Sequence, residues 1–281
     1  MGLAIVTRDR ARDLLAILPR LEELPERPPI VVVDNASADA TVGLLAARHP
    51  EVSVIALPEN RGAQARNLAV ERLETPYVAF NDDDSWWEPG ALAEAQTLLE
   101  RHASLGAVAA RVLLDEDGSE DPVCRAMGAS PIPSARPLPG PRVLGFIACG
   151  AIVRREAFLA VGGFHARYGI GGEEELLAID LAEAGWDIAY VPSLRAHHRP
   201  ATTRDRPARR RRQVRNALWS AWLRRPPSVA LGRTGPVLAR ALRDSSARGG
   251  LIDALRGLRW VLAERRRVGP RVEAALATLE A

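Results

Sequence analysis

Short apolar runs alternate with helical patterns through the N-terminal half of the chain, and this alternation is the strongest constraint on its fold. Four runs of largely apolar residues predict buried strands at 3–6, 30–33, 52–56 and 77–80. Strands that are apolar along their whole length are typical of parallel sheets covered by helices on both faces. The sequence therefore predicts an α/β domain with a mostly parallel sheet flanked by helices.

Helical patterns lie between these strands and after the fourth. A row of leucines predicts a helix over 14–24, interrupted by Pro19, and further helices are expected over 39–48 and 62–73. Glu88-Pro89 is expected to open the next helix, because proline is favoured at the first helical position.

The second half of the chain is less regular. Residues 115–142 are rich in proline, glycine and charge, and they predict a long loop or insertion. The pattern after it predicts a strand over 146–153, helices over 154–161 and 173–184, and a last strand over 188–191.

Charge divides the 281 residues into two parts. Residues 199–281 contain 20 arginines and 6 acidic residues, a net charge of +14, and the 18 arginines and 29 acidic residues before them give −11. We therefore predict an α/β domain over 1–200 and a basic helical C-terminal extension over 201–281. The extension favours a polyanionic partner. Because the sequence carries no helix-turn-helix, zinc-finger or RNA-binding signature, we do not expect that partner to be nucleic acid.

Two interpretations of the extension stay open. It contains four arginines at 209–212, followed by Trp219 and Trp222 among leucines and arginines. Arginines beside an apolar helix face suit peripheral docking on anionic lipid. Alternatively, the helix packs on the α/β domain with both tryptophans in the interface.

The cellular compartment is inferred from cysteine usage and hydropathy. Cys124 and Cys149 lack metal-ligand spacing and are expected to be inert buried thiols, which fits a reducing cytosol. The N-terminus does not resemble a signal peptide, and the longest apolar run, 144–153, is about half of a membrane span. We expect a cytoplasmic protein whose membrane contact, if it has one, is peripheral at the inner face.

Polar clusters directly follow the four predicted N-terminal strands. They are Thr7-Arg8, Asp34-Asn35, the segment 60–67 and the segment 81–84. Ligands of such sheets bind beyond the carboxyl ends of the strands. We therefore expect these four clusters to line one site.

The triplet Asp82-Asp83-Asp84 is the sharpest of these features. Three adjacent carboxylates repel one another, and their burial is costly without compensation. A hard divalent cation such as Mg²⁺ or Mn²⁺ prefers oxygen ligands, and a diphosphate could complete its coordination. The alternative is a solvated acidic turn, which the preceding buried strand and the following Trp86-Trp87 disfavour.

The second and third clusters suit a nucleotide. Asp34 could accept a hydrogen bond from a nucleobase or ribose, or it could cap the next helix, a task for which Ser37 is also available. Gly62 permits close approach of the backbone to a ligand at a helix N-terminus, and Arg66 offers a fixed positive charge for phosphate.

Two clusters in the second half could also carry chemistry. The first is Glu173-Glu174-Glu175 after Gly171-Gly172, where the acidic residues either favour the helix dipole or supply a general base. The second is His197-His198, one of which could bind the metal or a phosphate.

In combination these elements resemble family 2 glycosyltransferases of the GT-A fold, the Rossmann-like fold of nucleotide-diphospho-sugar transferases. The resemblance covers about residues 2–200. It is carried by Ile5-Val6-Thr7-Arg8, Val32-Val33-Asp34-Asn35-Ala36-Ser37, Glu59-Asn60-Arg61-Gly62, Arg66-Asn67, Asp82-Asp83-Asp84, Gly162-Gly163-Phe164, Gly171-Gly172-Glu173-Glu174 and the pair at His197.

The resemblance implies roles for individual residues and an Mn²⁺ or Mg²⁺ cofactor. The residues implied to bind the nucleotide and donor sugar are Thr7, Arg8, Asp34, Asn35, Gly62, Arg66, Asp82 and Asp83. The metal would be bound by Asp84, with Asp82 and His197. The family's usual Glu-Asp pair has its Asp as base. Here Glu174 takes that position, so Glu173 and Glu175 remain alternatives.

The expected reaction is an inverting, metal-dependent transfer of a sugar from a nucleotide-diphosphate donor to an acceptor hydroxyl. The acceptor could be a cell-envelope glycan or a lipid-linked acceptor in a bacterium. The Gln-x-x-Arg-Trp signature of processive members is absent, since Gln213-Val214-Arg215-Asn216 does not fit it. One sugar per acceptor is therefore expected. A nucleotidyltransferase and a non-catalytic nucleotide-sugar binding protein are the alternatives.

Overall fold

A computed structural model describes residues 1–114, 118–200 and 206–280. Its strands are β1 (Gly2–Thr7), β2 (Ile30–Asp34), β3 (Ser53–Ala56), β4 (Tyr77–Asp82), β5 (Ser85–Trp87), β6 (Leu105–Leu114), β7 (Ser119–Glu120), β8 (Ala151–Arg154) and β9 (Asp187–His198). Its helices are α1 (Ala11–Glu22), α2 (Thr41–Arg48), α3 (Ala65–Arg72), α4 (Ala91–Arg101), α5 (Pro122–Gly128), α6 (Arg155–Ala160), α7 (Glu173–Glu183), α8 (Arg206–Arg224), α9 (Pro227–Ala241), α10 (Ser245–Arg256), α11 (Leu258–Ala263) and α12 (Pro270–Thr278).

The described strands form one sheet in the order β3-β2-β1-β4-β8-β6-β9-β5, with β7 paired to β6. The pairs among β3, β2, β1 and β4 are parallel, as are β6 and β9. Strand β8 is antiparallel to both β4 and β6, and β5 is antiparallel to β9. The predicted α/β class is confirmed, with the antiparallel pairs confined to the second half of the sheet.

The N-terminal strands end within two residues of their predicted ends, but several other elements differ. Strand β8 begins at Ala151, where a start at 146 was predicted, and β9 continues to His198, where an end at 191 was predicted. Helix α4 begins at Ala91 after a left-handed Gly90 (φ 88°), so Glu88-Pro89 lies in the preceding turn. Strand β6, which the sequence analysis did not predict, fills the centre of the second half. The predicted loop 115–142 contains β7 and α5 within its described part, and residues 115–117 lie outside the described residues.

Alternating side chains of the strands build two apolar cores, one on each face of the sheet. Leu3 and Ile5 pack in the core that includes α1 and α4, whereas Ala4 between them faces the core of α3 and α6. This alternation follows from the two-residue period of a strand. The sheet is therefore covered by apolar side chains on both faces, and the polar residues Thr7, Asp34 and Asp82 lie at the ends of its strands.

The C-terminal extension packs on the α/β domain. Arg224 forms a bidentate pair with Asp180 of α7, and Trp219 packs on Tyr168 with ring centroids 5.8 Å apart. The Nε1 atoms of the two tryptophans donate within the extension, Trp219 to the carbonyl of Ala254 and Trp222 to Thr234 Oγ1, both at 3.1 Å. Of the two tryptophans, Trp219 therefore contacts the α/β domain, and Trp222 packs against α9. No described helix combines the length and the apolar character that crossing a membrane requires.

Candidate active site

A cavity of about 370 Å³ opens at the carboxyl ends of β1 and β4. It brings together residues from the N-terminal clusters, from the start of α7, from the end of β9 and from α8. The polar and charged residues that line it are Thr7, Arg8, Arg10, Asn35, Asn60, Arg66, Asp82, Asp83, Asp84, Glu173, Glu174, His198, Arg209 and Arg212.

The acidic triplet turns into this cavity. Strand β4 ends at Asp82, and a tight turn leads to β5, so the carboxylates point in different directions. Asp82 is paired with Arg66, and Asp83 accepts a hydrogen bond from Thr7 Oγ1 at 2.9 Å. Asp84 lies beside Arg10, with 3.1 Å between Asp84 Oδ2 and Arg10 Nη1. The triplet is therefore embedded among counter-charges and is not a solvated turn.

Burial perturbs this cluster strongly. It raises the pKa of Asp83 to about 7, although Arg10, whose Nε lies 3.2 Å from Asp83 Oδ1, acts in the opposite direction. Arg10 and Arg66 thus offset much of the negative charge that the sequence analysis assigned to a cation. A divalent ion would add to this compensation and would not be its sole source.

The two adjacent histidines face opposite sides of β9. His197 stacks on Trp86, with ring centroids 5.1 Å apart, and its Nε2 lies 3.0 Å from Glu88 Oε1. His198 points the other way, and its Nε2 lies 3.3 Å from Asp84 Oδ1. Alternation along a strand makes this division unavoidable. The structure therefore brings His198, and not the predicted His197, to the carboxylates.

The residues present suit a divalent cation. Ligand atoms of Asp82, Cys149 and His198 lie within 4.8 Å of one another, and Asp84 is in contact with His198. Burial raises the pKa of Cys149, so its thiol is neutral and a poor ligand. Carboxylate oxygens and an imidazole nitrogen remain, a set that suits Mn²⁺ or Mg²⁺ with further oxygen ligands from a substrate.

Asp34 lies at the end of β2, buried next to this cavity. Its Oδ2 accepts a hydrogen bond from the backbone of Ser37 at 3.1 Å, so it does fix the turn before α2. Its Oδ1 has no hydrogen-bond partner among the described residues, although buried oxygens are normally satisfied. Asp34 itself is not among the residues that line the cavity, whereas its neighbour Asn35 is.

Asn35 and Gly62 shape the loops around the site. Asn35 donates to the carbonyl of Gly62 at 3.0 Å and accepts from the backbone of Arg61 at 2.7 Å. Gly62 has a φ of +59°, and a Cβ there would lie 2.7 Å from the Cα of Gly169. The close approach that Gly62 permits is thus to backbone of loop 168–172, and not directly to a ligand as the sequence analysis expected.

The three glutamates of α7 divide between different surroundings. Glu173 accepts from the backbone of Gly171 and is buried; desolvation raises its pKa. Glu174 lines the cavity, and burial together with the neighbouring charge of Glu173 raises its pKa as well. Glu175 points away from the cavity, and its Oε1 lies 3.5 Å from Nη1 of Arg233 in the extension. The alternatives for a general base are thereby narrowed to Glu173 and Glu174.

Helix α8 supplies part of the cavity wall and supports loop 168–172. Arg209 and Arg212 line the cavity, and Arg212 Nε donates to the carbonyl of Ile170 at 3.3 Å. The buried Asn216 donates to the carbonyls of Tyr168 at 3.1 Å and Gly171 at 2.7 Å. The extension is therefore a structural part of the site.

Sequence reasoning missed four residues of this site: Arg10, His198 as the inward-facing histidine, Arg209 and Arg212. Because alternate residues are buried towards the end of β9, counting along the strand could have identified His198 as the inward-facing histidine. Arg10 lies three residues beyond Thr7, within reach of a site at the end of β1. No local signal distinguishes Arg209 and Arg212 from the other arginines of α8.

Comparison with known proteins agrees with this geometry. The family model described as Glycosyl transferase family 2 matches residues 3–162. The chain is similar to the N-acetylglucosaminyl-diphospho-decaprenol L-rhamnosyltransferase of Mycobacterium tuberculosis, with 30% identity over 241 residues that cover 72% of this chain and 77% of that protein. A shorter match, 31% identical over 94 residues, covers 32% of this chain and 37% of the putative teichuronic acid biosynthesis glycosyltransferase TuaG of Bacillus subtilis.

Solved structures share the fold. The mannosyltransferase PcManGT of Pyrobaculum calidifontis, solved with GDP-Man and Mn²⁺, superposes with a TM-score of 0.61 at 21% identity and covers 99% of this chain and 85% of that one. S. aureus TarS 1-349 superposes with a TM-score of 0.60 at 16% identity, over 100% of this chain and 88% of that one.

Proposed function

The chain belongs to glycosyl transferase family 2, and we propose that it is an inverting, metal-dependent and non-processive member that transfers one sugar to a lipid-linked acceptor. The donor is a nucleotide-diphosphate sugar. The observation that carries the proposal is the position of Glu174, which shares one cavity with the acidic triplet, Arg66 and Arg212. Family membership favours this reaction over nucleotidyl transfer.

The nucleotide and its diphosphate are assigned to the two sides of the cavity. Asp34, whose Oδ1 lacks a partner among the described residues, is assigned to a ribose or nucleobase donor group, with Thr7 and Asn35 lining the cavity beside it. Arg8, Arg209 and Arg212 are the cavity arginines best placed for phosphate, because Arg10 and Arg66 are paired with the triplet. Arginine matches phosphate oxygens through several parallel donors.

A divalent ion would be bound by Asp82, Asp84 and His198, and when bound it would offset the negative charge that develops on the diphosphate. Arg10, which is also paired with Asp83, would hold Asp84 in place from the other side. The Mn²⁺ of PcManGT supports this assignment at the level of the fold.

Glu174 is proposed as the general base. In a single displacement, its carboxylate takes the proton of the acceptor hydroxyl while the acceptor oxygen bonds to the anomeric carbon. The bond from that carbon to the diphosphate oxygen breaks on the opposite side, which inverts the configuration. A raised pKa suits this role, because a base is most effective when its pKa lies near the working pH.

A second cavity supports a lipid-linked acceptor. It has a volume of about 310 Å³ and borders the first at Glu174, which lines both. Its walls are largely apolar and come from Val123, Ala126, Met127, Val143, Leu144, Phe146 and Leu279. An acceptor that presents its hydroxyl to Glu174 would rest against this apolar wall. The name of the mycobacterial relative, with its diphospho-decaprenol acceptor, supports the same class in a bacterial envelope pathway.

The test of the base is Glu174→Gln, with Glu183→Gln at the far end of the same helix as the matched control. We expect kcat to fall by about 10²–10⁴-fold for Glu174→Gln, since the amide cannot accept the proton. Donor affinity, measured by calorimetric titration, should stay within about threefold. Glu183→Gln should keep its rate because Glu183 faces the backbone of Gly269 and lines neither cavity. Retention of turnover by Glu174→Gln would reject this residue as the base.

The test of the metal is titration of nucleotide-sugar with and without Mn²⁺ in the wild type and in Asp84→Asn. We expect Mn²⁺ to strengthen donor binding to the wild type by at least about tenfold and to leave Asp84→Asn nearly unaffected. Equal enhancement in both proteins would remove Asp84 from the ligand set.

A further inference from the structure

Exposed leucines cluster on the C-terminal extension. Of the eleven large hydrophobic residues that are exposed among the described residues, seven lie in or beside α9, α10 and α11. We name six of these the leucine surface: Leu231, Leu238, Leu242, Leu255, Leu258 and Leu262. Contiguous exposed apolar groups of this kind mark interaction sites on soluble proteins.

The six leucines form two rows with helical spacing. Leu238 and Leu242 lie seven and eleven residues after Leu231, and this spacing places all three on one side of α9 and its C-terminal end. Leu255, Leu258 and Leu262 follow a spacing of three and four along α10 and α11.

A shallow cleft lies between the two rows. It is lined on one side by Thr234, which lies between Leu231 and Leu238 on the same side of α9, and on the other by Leu255 and Leu258. Trp222 forms part of its floor and donates to Thr234 Oγ1 at 3.1 Å. Thr234 of α9 therefore meets the second row at this cleft, and the first row runs along the same helix beside Thr234.

Arginines surround this surface. Residues 227–267 contain nine arginines and three acidic residues. All three acids are paired within the protein: Asp244 with Arg210, Asp253 with Arg211 and Glu264 with His165. Arginines within two residues of these leucines are exposed, namely Arg240, Arg243, Arg256 and Arg259. The rim of the leucine surface is thus positively charged.

We propose that the leucine surface docks on an anionic lipid bilayer, with the leucines inserted between headgroups and the arginines at the headgroup level. Leucines flanked by basic residues are the usual composition of peripheral membrane contacts. A second copy of the chain is a poorer fit, because two such surfaces would bring their arginine rims together and repel. The inference reaches beyond glycosyl transfer and relocates the membrane contact from α8, whose Trp219 is buried, to α9–α11.

The test is co-sedimentation with vesicles at low salt. The wild type should bind vesicles that contain phosphatidylglycerol and should be released by high salt or by vesicles of phosphatidylcholine alone. Each half-exposed leucine should contribute roughly fivefold to partitioning, so Leu231→Ser, Leu242→Ser and Leu258→Ser together should weaken binding by about 100-fold. Arg259→Gln should cost roughly fivefold.

Val42→Ser is the control, because Val42 is an exposed apolar residue on α2, away from this surface. It should bind vesicles like the wild type, and thermal melting should show that all variants remain folded. The proposal is wrong if the wild type fails to bind phosphatidylglycerol vesicles, or if the triple serine variant binds them normally. A dimeric wild type that becomes monomeric in the triple variant, without vesicle binding, would assign the surface to a second copy. Vesicle binding requires no turnover, so this outcome is independent of the proposed reaction.

Discussion

Substitution of Asn216 tests whether the C-terminal extension holds the catalytic base in place. Asn216 is fully buried in α8, and its amide donates to the carbonyls of Tyr168 and Gly171 on either side of loop 168–172. The loop leads directly into Glu173 and Glu174. We therefore examine Asn216→Ala, which removes the amide and leaves both helices otherwise intact.

The loss of stability in Asn216→Ala can be worked out from these contacts. The carbonyl of Tyr168 also accepts from Arg215 and keeps a donor, whereas the carbonyl of Gly171 loses its contact with α8. A stranded buried acceptor costs about 1–3 kcal/mol, and a lost hydrogen bond that water or a neighbour replaces costs about 1 kcal/mol. We expect the free energy of unfolding to fall by about 2–4 kcal/mol. Urea denaturation measures this change.

The kinetic effect should be separable from the loss of stability. A displacement of about 1 Å in a positioned group can lower turnover by about 10²-fold. We expect kcat of Asn216→Ala to fall by roughly 10–100-fold at a temperature where the protein is fully folded. Ala217→Ser, an exposed substitution at the next position of α8, should change stability by less than about 0.5 kcal/mol and leave kcat unaltered.

Two outcomes would refute this reasoning. Unchanged stability in Asn216→Ala would mean that the amide is not a significant anchor of loop 168–172. A destabilised variant with normal kcat would mean that the anchor does not position Glu174. The second result would separate the extension from catalysis while leaving its packing role intact.

The two remaining predictions concern charge in the donor cavity. Arg212→Gln should weaken nucleotide-sugar binding by about tenfold or more, since a charged hydrogen bond contributes about 1.5–3 kcal/mol. Arg211→Gln is the control and should bind the donor like the wild type, because Arg211 pairs with Asp253 outside the cavity. Equal donor affinities of the two variants in a titration would remove Arg212 from the site. Burial raises the pKa of Asp83 from its ordinary value near 3.8 to about 7, so the folded state binds a proton that the unfolded state has released. The stability from this group is full at low pH and is lost as the pH rises through about 7, by up to about 1.4 kcal/mol per pH unit. Asp83→Asn should flatten this decline in metal-free urea titrations, and parallel pH profiles of the two proteins would contradict the shift.

The C-terminal extension and the α/β domain are not independent units. The charge pattern predicted a boundary near residue 200, and the structure places a folded helical unit after that point. The contacts cross the boundary, however. Asn216 and Arg212 reach loop 168–172, and Arg233 reaches Glu175. A truncation at residue 200 should therefore damage the site, even though the family model ends at residue 162.

The sequence by itself determined the α/β class, the first four strands and the clustering of polar residues at their carboxyl ends. These features depend on local periodicity, which a single segment already contains. Glu174 and the acidic triplet could be found in the same way, because each directly follows a strand or a helix-opening glycine pair.

Only the tertiary structure decided which of these residues meet and what surrounds them. The inward direction of His198, the pairing of Arg10 with two carboxylates, the approach of Gly62 to Gly169 and the arrival of Arg212 all depend on segments that are distant in sequence. Their positions depend on sheet order, strand parity and helix packing. Those long-range relations involve the whole chain, so no local pattern contains them.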